Sequence, residues 1–153
     1  SGWVIVATSC VALLALGGEV DFWRARIRPG GPVGTGTVLG VTWLGLPGNP
    51  VSTMVTGTLF AWPLIKRLGG HTHTQHRTLP VVMRDTYETP ASLTYFVRVT
   101  LSRGEHGTLD ARLAGAQGSN LMRTMATADA LLVVPEDCSA TRPGDVFDAV
   151  LLP

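Results

Sequence analysis

The six residues from Pro47 to Ser52, in the stretch "GLPGNPVS", have the composition of a turn that could bind an anion. Pro47 and Gly48 predict a sharp turn after an apolar run that ends at Leu46. Asn49 followed by Pro50 predicts a helix start, because Asn is a good N-cap and proline at the first helical position loses no hydrogen bond.

This turn would present backbone donors to a ligand. The amides of Val51, Ser52 and Thr53 would lie at the positive end of the helix dipole, and the two hydroxyls could add donors. Because Gly48 has no side chain, an oxyanion could approach the backbone closely. A plain strand-to-helix connection with well-chosen caps explains the same residues, and these two interpretations stay open.

Two further segments are candidates. "PGGPVGTG", residues 29 to 36, is dense in Gly and Pro and predicts a loop. A polar turn at residues 117 to 119 opens a helical run from Asn120 to Ala126, and on local physics alone Ser119 is its cap.

The first part of the chain predicts an α/β arrangement, with a strand and helix in the apolar stretch from Trp3 to Leu16. A strand follows over residues 20–28, and one or two strands lie in residues 38–46. A long helix then spans residues 50–68, where Pro63 should cause a kink.

After Gly70 the composition changes: a polar segment is followed by short strand-like runs. Their spacing and turn signals predict a small all-β barrel or sandwich. We place the domain boundary between residues 72 and 73, giving domains 1–72 and 73–153. The predicted strands are residues 79–84, 95–102, 109–113, 131–134 and 146–152.

Composition excludes several function classes. The chain has 12 Lys and Arg against 11 Asp and Glu without clustering, so neither a nucleic-acid-binding stripe nor a polybasic membrane patch is expected. Cys10 and Cys138 lack a CxxC or Cys/His spacing, which favours a reducing, cytoplasmic setting. His71, His73 and His76 have no carboxylate partner in reach and are expected to be solvated rather than metal ligands.

Four quoted stretches together resemble the molybdopterin molybdenumtransferase family, which includes MoeA and the gephyrin E domain. They cover residues 18 to 152 in order and are "GEVDFWRARIRPGGP", "GLPGNPVS" with its helix, "AQGSNLMRTMATADALLVVPED" and "RPGDVFDAVLL". The resemblance implies the second half of a three-layer molybdopterin-binding α/β sandwich followed by a small β-barrel.

The same resemblance implies an activity. The family inserts molybdate into adenylylated molybdopterin with Mg²⁺ and releases AMP. It works as a homodimer with further domains ahead of these, so this chain would hold only part of an active site. A pterin is the implied partner, and neither a nucleic acid nor a membrane is.

Site residues follow from the resemblance position by position. The pterin-phosphate and molybdate loop would comprise Pro47, Gly48, Asn49, Pro50 and Ser52. Pro29, Gly30 and Pro32 would match the family's "PGKP" loop, whose lysine is Gly31 here, and Arg28 could replace that cation. Gln117 and Ser119 would lie near the cleft. The catalytic residues and the metal ligands are unknown.

The beginning of the chain departs from the family's "SGGVSVG" turn. It reads "SGWVIVA", and Thr8 stands where an acidic residue is expected. Trp3 would obstruct backbone approach to a phosphate, and loss of the carboxylate would remove a magnesium ligand. Two classes of function therefore remain: part of a transferase, or a non-catalytic scaffold of the same fold that dimerises or binds a protein.

Overall fold

The computed structural model describes residues 17–90, 92–118 and 122–152, and the backbone alone of Val4–Ala7. The chain divides into two compact units. Residues 1–25 and 29–75 form the first, and residues 26–28 and 76–153 form the second. The predicted helix before residue 17 lies outside the described residues.

The first unit contains a four-stranded sheet. Its strands are β1 (Val4–Ala7), β2 (Glu19–Trp23), β4 (Gly34–Val38) and β5 (Val41–Gly45). They lie side by side in the order β1-β5-β4-β2. The edge strand β1 runs parallel to its neighbour β5. The other two pairs, β5 with β4 and β4 with the opposite edge strand β2, are antiparallel.

Strand β4 begins inside the segment that the sequence predicts to be a loop. Two glycines, Gly34 and Gly36, make this strand possible. Trp43 on β5 is 1% exposed, and its indole Nε1 donates to the backbone carbonyl of Glu19 at 3.3 Å. A Cβ atom on Gly36 would collide with that carbonyl and with the indole, and one on Gly34 would lie 2.6 Å from the ring of Trp23. Here glycine makes room for an aromatic ring.

The strand predicted over residues 20–28 is interrupted. Arg24 has a φ of 75°, a left-handed conformation that ends regular pairing. Beyond the break, β3 (Ile27–Arg28) belongs to the second unit, where it pairs in parallel with Thr94 and Tyr95. The alternation in "VDFWRARIR" carried no sign of this change of partner.

The helix predicted over residues 50–68 is present but irregular. It consists of α1 (Pro50–Thr56), a π-helical turn (Gly57–Ala61) and α2 (Trp62–Leu68). Pro63 has no N–H to donate, and the turn before it takes the wider π form, in which the Trp62 amide bonds to the Gly57 carbonyl. The predicted irregularity is therefore a π-helical turn.

The apolar residues of this helical segment are unevenly buried. Val51 and Val55 are fully buried, whereas four others are 42–54% exposed: Met54, Trp62, Ile65 and Leu68.

The second unit is built on a closed five-stranded barrel, the outcome predicted by the spacing of its strands. The strands are β6 (Thr78–Met83), β8 (Thr94–Arg103), β9 (Leu109–Leu113), β10 (Ala130–Val134) and β12 (Val146–Leu151). The ring runs β8-β9-β6-β12-β10 and closes through antiparallel pairing of β10 with β8. Within this described ring, only β6 and β9 are parallel neighbours.

Alternate residues of these strands fill the barrel, as expected from the two-residue period of a strand. The core includes Val81, Met83, Val97, Val99 and Leu132, all 0–2% exposed. A small pair, β7 (Tyr87–Glu88) with β11 (Ala140–Thr141), and a short helix, α3 (Met122–Ala126), complete the unit.

Among the described residues, no helix is both long enough and apolar enough to span a bilayer.

Candidate anion-binding site

The turn before α1 has the helix-start geometry that its sequence predicts. Asn49 occupies the N-cap position in an extended conformation with φ −74° and ψ 128°, and Pro50 follows at the first helical position. The Asn49 side chain makes no capping hydrogen bond. Its carbonyl instead accepts the Thr53 amide at 2.8 Å and the Thr53 hydroxyl at 2.9 Å.

Thr53 is therefore part of the turn rather than a donor to a ligand. Its hydroxyl also contacts the carbonyl of Pro47, and its amide is used by the first intrahelical bond. The prediction that Thr53 presents its amide was wrong, because a helix that begins at Pro50 satisfies the amide of its fourth residue internally.

The donors that remain at this helix start are the amides of Val51 and Ser52, which have no intrahelical acceptor in an α-helix beginning at Pro50. Ser52 itself is 6% exposed, and its carbonyl accepts the hydroxyl of Thr56 at 2.7 Å. Pro47 is also buried, whereas Gly48 and Pro50 are exposed. The turn thus has a buried inner side and an open outer side at Gly48.

Gly48 is glycine for no reason visible in the packing. Unlike Gly30 it does not adopt a positive φ, and a Cβ atom added to it would meet nothing within 4 Å. An alanine would therefore fit the described structure. Room for a Cβ atom at Gly48 is also what close approach of an anionic oxygen to the backbone requires.

The second predicted loop, at residues 29–32, has a structural explanation of its own. Gly30 is buried and has a φ of 108°, which strongly favours glycine. The carbonyl of Gly31 accepts the amides of Ala25 and Val33, each at 2.9 Å. Pro29 is half-buried and Pro32 is exposed. These contacts describe a tight connection between β3 and β4.

Two of the remaining candidates lie in the second unit. Arg28 is exposed on β3, and its guanidinium carbon lies 5.9 Å from the centre of the Tyr95 ring. Gln117 lies in the turn after β9, where its side chain hydrogen-bonds to the backbone of Arg98. Ser119 lies outside the described residues.

Arg98 is a residue that sequence reasoning missed. It is 0% exposed on β8, and its Nη2 atom donates to the carbonyls of Ala116 and Gly118, each at 3.2 Å. Burial lowers the pKa of the Arg98 guanidinium because desolvation disfavours its charged form. The signal in the sequence was a lone charge inside the strand "LTYFVRVTL".

In the part of the chain that the structure describes, no group of three or more His, Cys, Asp or Glu side chains could hold a metal ion. His71 and His73 are exposed, whereas His76 is half-buried.

A surface cavity of about 410 Å³ lies on the barrel, but none of the predicted site residues lines it. Its walls are mainly apolar and include Leu79, Val82, Leu109 and Val146. Without converging charged or polar groups, this cavity has no chemistry suited to an oxyanion.

Comparison with known proteins agrees with the barrel. Residues 80–152 match the sequence profile of the MoeA C-terminal region (domain IV). The chain is similar to Molybdopterin molybdenumtransferase 1 of Mycobacterium tuberculosis, with 32% identity over 143 residues that cover 88% of this chain and 33% of that protein. It is also similar to Molybdopterin molybdenumtransferase of Haemophilus influenzae, with 28% identity over 137 residues and the same two coverages.

The fold has a solved relative. The molybdopterin biosynthesis moeA protein of Pyrococcus horikoshii aligns with a TM-score of 0.71 at 20% identity, over 99% of this chain and 36% of that structure. The chain spans about a third of the length of the two curated relatives. It belongs to the MoeA family and corresponds to the C-terminal part of its members.

Proposed function

We propose that the chain is part of a molybdopterin molybdenumtransferase and acts in molybdenum cofactor biosynthesis. In the proposed reaction, molybdate is inserted into adenylylated molybdopterin and AMP is released. The names of the relatives from Mycobacterium tuberculosis and Haemophilus influenzae support the activity. The match of residues 80–152 to the MoeA C-terminal region supports the assignment of the second unit to the barrel domain of such an enzyme.

The organisation proposed for the chain follows the same relationship. Residues 1–72 would be the C-terminal half of a three-layer molybdopterin-binding α/β domain, and residues 73–153 the barrel domain. The assembly would be a cytoplasmic homodimer. Magnesium would be held by carboxylates contributed from other parts of the protein.

Within this chain, the turn from Pro47 to Ser52 would bind the pterin phosphate or molybdate. The amides of Val51 and Ser52 would donate to an anionic oxygen, and the dipole of the helix would favour its negative charge. Thr53 would keep the turn closed through its bonds to the carbonyls of Asn49 and Pro47. Pro29, Gly30, Pro32 and Arg28 are retained as further binding candidates.

The observation that carries this proposal is the open space at Gly48. At Gly30 and Gly36 the backbone angle or a neighbouring ring explains the glycine, but neither applies at Gly48. Gly57 shares this open space, but Gly48 lies directly before the helix start, where a ligand oxygen would approach the backbone.

The test is calorimetric titration of the chain with molybdopterin. Replacing Gly48 by Leu should weaken binding at least tenfold, because the side chain would fill the space that the oxyanion needs. Gly57→Leu is the matched control, since a Cβ atom at Gly57 also meets nothing within 4 Å and its φ is −59°. Thermal unfolding of both variants checks that they fold.

Equal binding by the Gly48 and Gly57 variants would remove the turn from the site. If the folded wild-type chain bound no pterin, the result would instead favour a non-catalytic scaffold that keeps the family fold.

A further inference from the structure

The loop from residue 24 to residue 33 starts and ends in the first unit, but its tip is part of the second. Two backbone bonds close its base: the Arg24 amide donates to the Val33 carbonyl at 3.0 Å, and the Ala25 amide donates to the Gly31 carbonyl at 2.9 Å. The tip is β3, which belongs to the second unit, whereas the residues on either side of β3 belong to the first. The closed base means that β3 could leave its sheet without any change at the base of the loop.

The side chain of Arg26 fastens this tip to the second unit. Its Nε and Nη2 atoms donate to the carbonyl of Ser92 at 3.2 and 2.9 Å, and Nη2 also lies 3.1 Å from Glu136 Oε2. The backbone of Arg26 takes part as well, because its carbonyl accepts the Thr94 amide at 2.9 Å and so joins β3 to the start of β8. Arg26, Ser92, Thr94 and Glu136 form what we call the Arg26 latch.

Little apolar burial holds β3 in place. Ile27 is half-buried, and Arg26 and Arg28 are exposed, whereas every strand of the barrel contributes at least one residue that is 0% exposed. The side chains of the Arg26–Glu136 ion pair are 69% and 54% exposed, so water and salt screen their attraction. Segments with few buried contacts open locally at a much lower free energy than the core of a domain.

Backbone strain in the latch favours its opening. Ser92 has a φ of 87°, a left-handed conformation that a residue other than glycine adopts only where its surroundings hold it. The latch supplies that hold, since the Ser92 carbonyl accepts Arg26 and the Ser92 amide donates to the Glu136 carbonyl at 3.2 Å. Loss of the bonds from Arg26 would therefore let Ser92 relax.

Opening would also change how the chain joins the two units. The chain passes between them after residues 25, 28 and 75. The first two crossings exist because β3 is part of the second unit. With β3 released, the crossing after residue 75 would be the one that remains, and units joined by a single short connection move relative to each other by default.

We propose that the Arg26 latch is a conformational switch that opens and closes while the barrel stays folded. Its state sets whether three chain crossings or one join the two units. The ion pair of Arg26 with Glu136 favours the closed state, and both salt and relaxation of Ser92 favour the open state. This switch does not depend on the proposed function.

Opening of the latch can be measured by amide hydrogen exchange in the full chain, followed by NMR. The Thr94 amide reports on the latch, because its acceptor is the Arg26 carbonyl. The Met83 amide reports on the barrel, because it donates to the Asp145 carbonyl at 2.8 Å and Met83 is 0% exposed. We expect Thr94 to be protected at least tenfold less than Met83, and to lose protection as NaCl rises from about 0.05 M to about 1 M. Equal protection of the two amides would overturn the switch.

Two substitutions separate the ion pair from a general effect of charge. Glu136→Gln keeps the size of the side chain but removes its charge, so protection of Thr94 should fall roughly threefold and no longer depend on salt. Asp137→Asn is the matched control, because it removes the same charge from the adjacent exposed residue and should behave as the wild type does. Equal protection of Thr94 in the two variants would overturn the role of the ion pair.

The link between the latch and the motion of the units has its own readout. Relaxation of the backbone amides by NMR gives a rotational correlation time for each unit. Arg26→Ala removes every side-chain bond of the latch and should shorten both correlation times, whereas Arg103→Ala, at an exposed arginine of β8, should leave them unchanged. Wild-type correlation times in the folded Arg26→Ala variant would overturn the switch; if that variant does not fold, Glu136→Gln in about 1 M NaCl decides.

Discussion

At the hairpin between β4 and β5, the backbone conformation does not suit one of the residues that adopt it. Leu39 and Gly40 form the tip of the hairpin between β4 and β5, with φ values of 50° and 74°. Two positive φ angles favour Asn-Gly at such a tip, and a leucine there is strained. The Leu39 side chain is also 86% exposed and has little packing to lose.

Leu39→Asn should therefore stabilise the first unit by about 1 kcal/mol, since Asn tolerates the left-handed conformation. Urea denaturation followed by tryptophan fluorescence measures this, because all four tryptophans lie within residues 1–75. Leu39→Ala is the control, as it shortens the side chain but keeps the strain. An Asn variant no more stable than the Ala variant would contradict the explanation.

The ion pair between Arg84 and Asp110 predicts how the barrel responds to acid. Arg84 Nη2 donates to Asp110 Oδ1 at 2.8 Å, and this hydrogen bond is the main reason that the pKa of Asp110 is lowered. A lowered pKa in the folded state contributes stability above the ordinary value of about 4 and loses it as the pH falls through the folded value.

Asp110→Asn should remove that part of the acid dependence while leaving the stability near neutral pH lower than in the wild type. Amide hydrogen exchange of β8 and β9, measured from about pH 3 to about pH 6, covers the range in which this loss begins. Arg112→Lys, which keeps a cation near Asp85, is a control. If stability in the Asp110→Asn variant fell with acid as steeply as in the wild type, the assignment to Asp110 would be refuted.

At the scale of elements, the β4–β5 pair depends on glycine where an aromatic ring crosses it. Gly36→Ala should destabilise the first unit by about 2 kcal/mol, because the new Cβ atom collides with the Glu19 carbonyl and the Trp43 indole. The backbone carbonyl cannot rotate away as a flexible side chain would. Gly57→Ala, into open space within the helical segment, should cost nothing; equal losses of stability in the two variants would contradict this account.

Elements also show what sequence patterns can and cannot predict. The helix from residue 50 to residue 68 was predictable, because Asn49-Pro50 and Gly69-Gly70 mark its ends. Its π-helical turn was not, since the pattern assumes one period throughout. The break at Arg24 was equally hidden, because partner choice by β3 depends on contacts with residues far along the chain.

At the scale of the whole molecule, the barrel followed from the regular spacing of its strands, but its closure depends on the pairing of β10 with β8. That pairing joins strands separated by about thirty residues, which local pattern does not encode. The helix start at Pro50 was predicted and found, whereas Arg98 was missed because a strand pattern does not show what covers its outer face.

The most direct measurement is amide NMR of the isotopically labelled chain titrated with molybdopterin. We expect saturable shifts centred on Gly48, Val51 and Ser52, because their backbone lies where the phosphate or molybdate oxygens would bind. The π-helical turn at residues 57–61 should shift less, as it lies beyond the helix start. Shifts confined to other residues, or none in a folded sample, would contradict the assignment of this turn to the molybdopterin site.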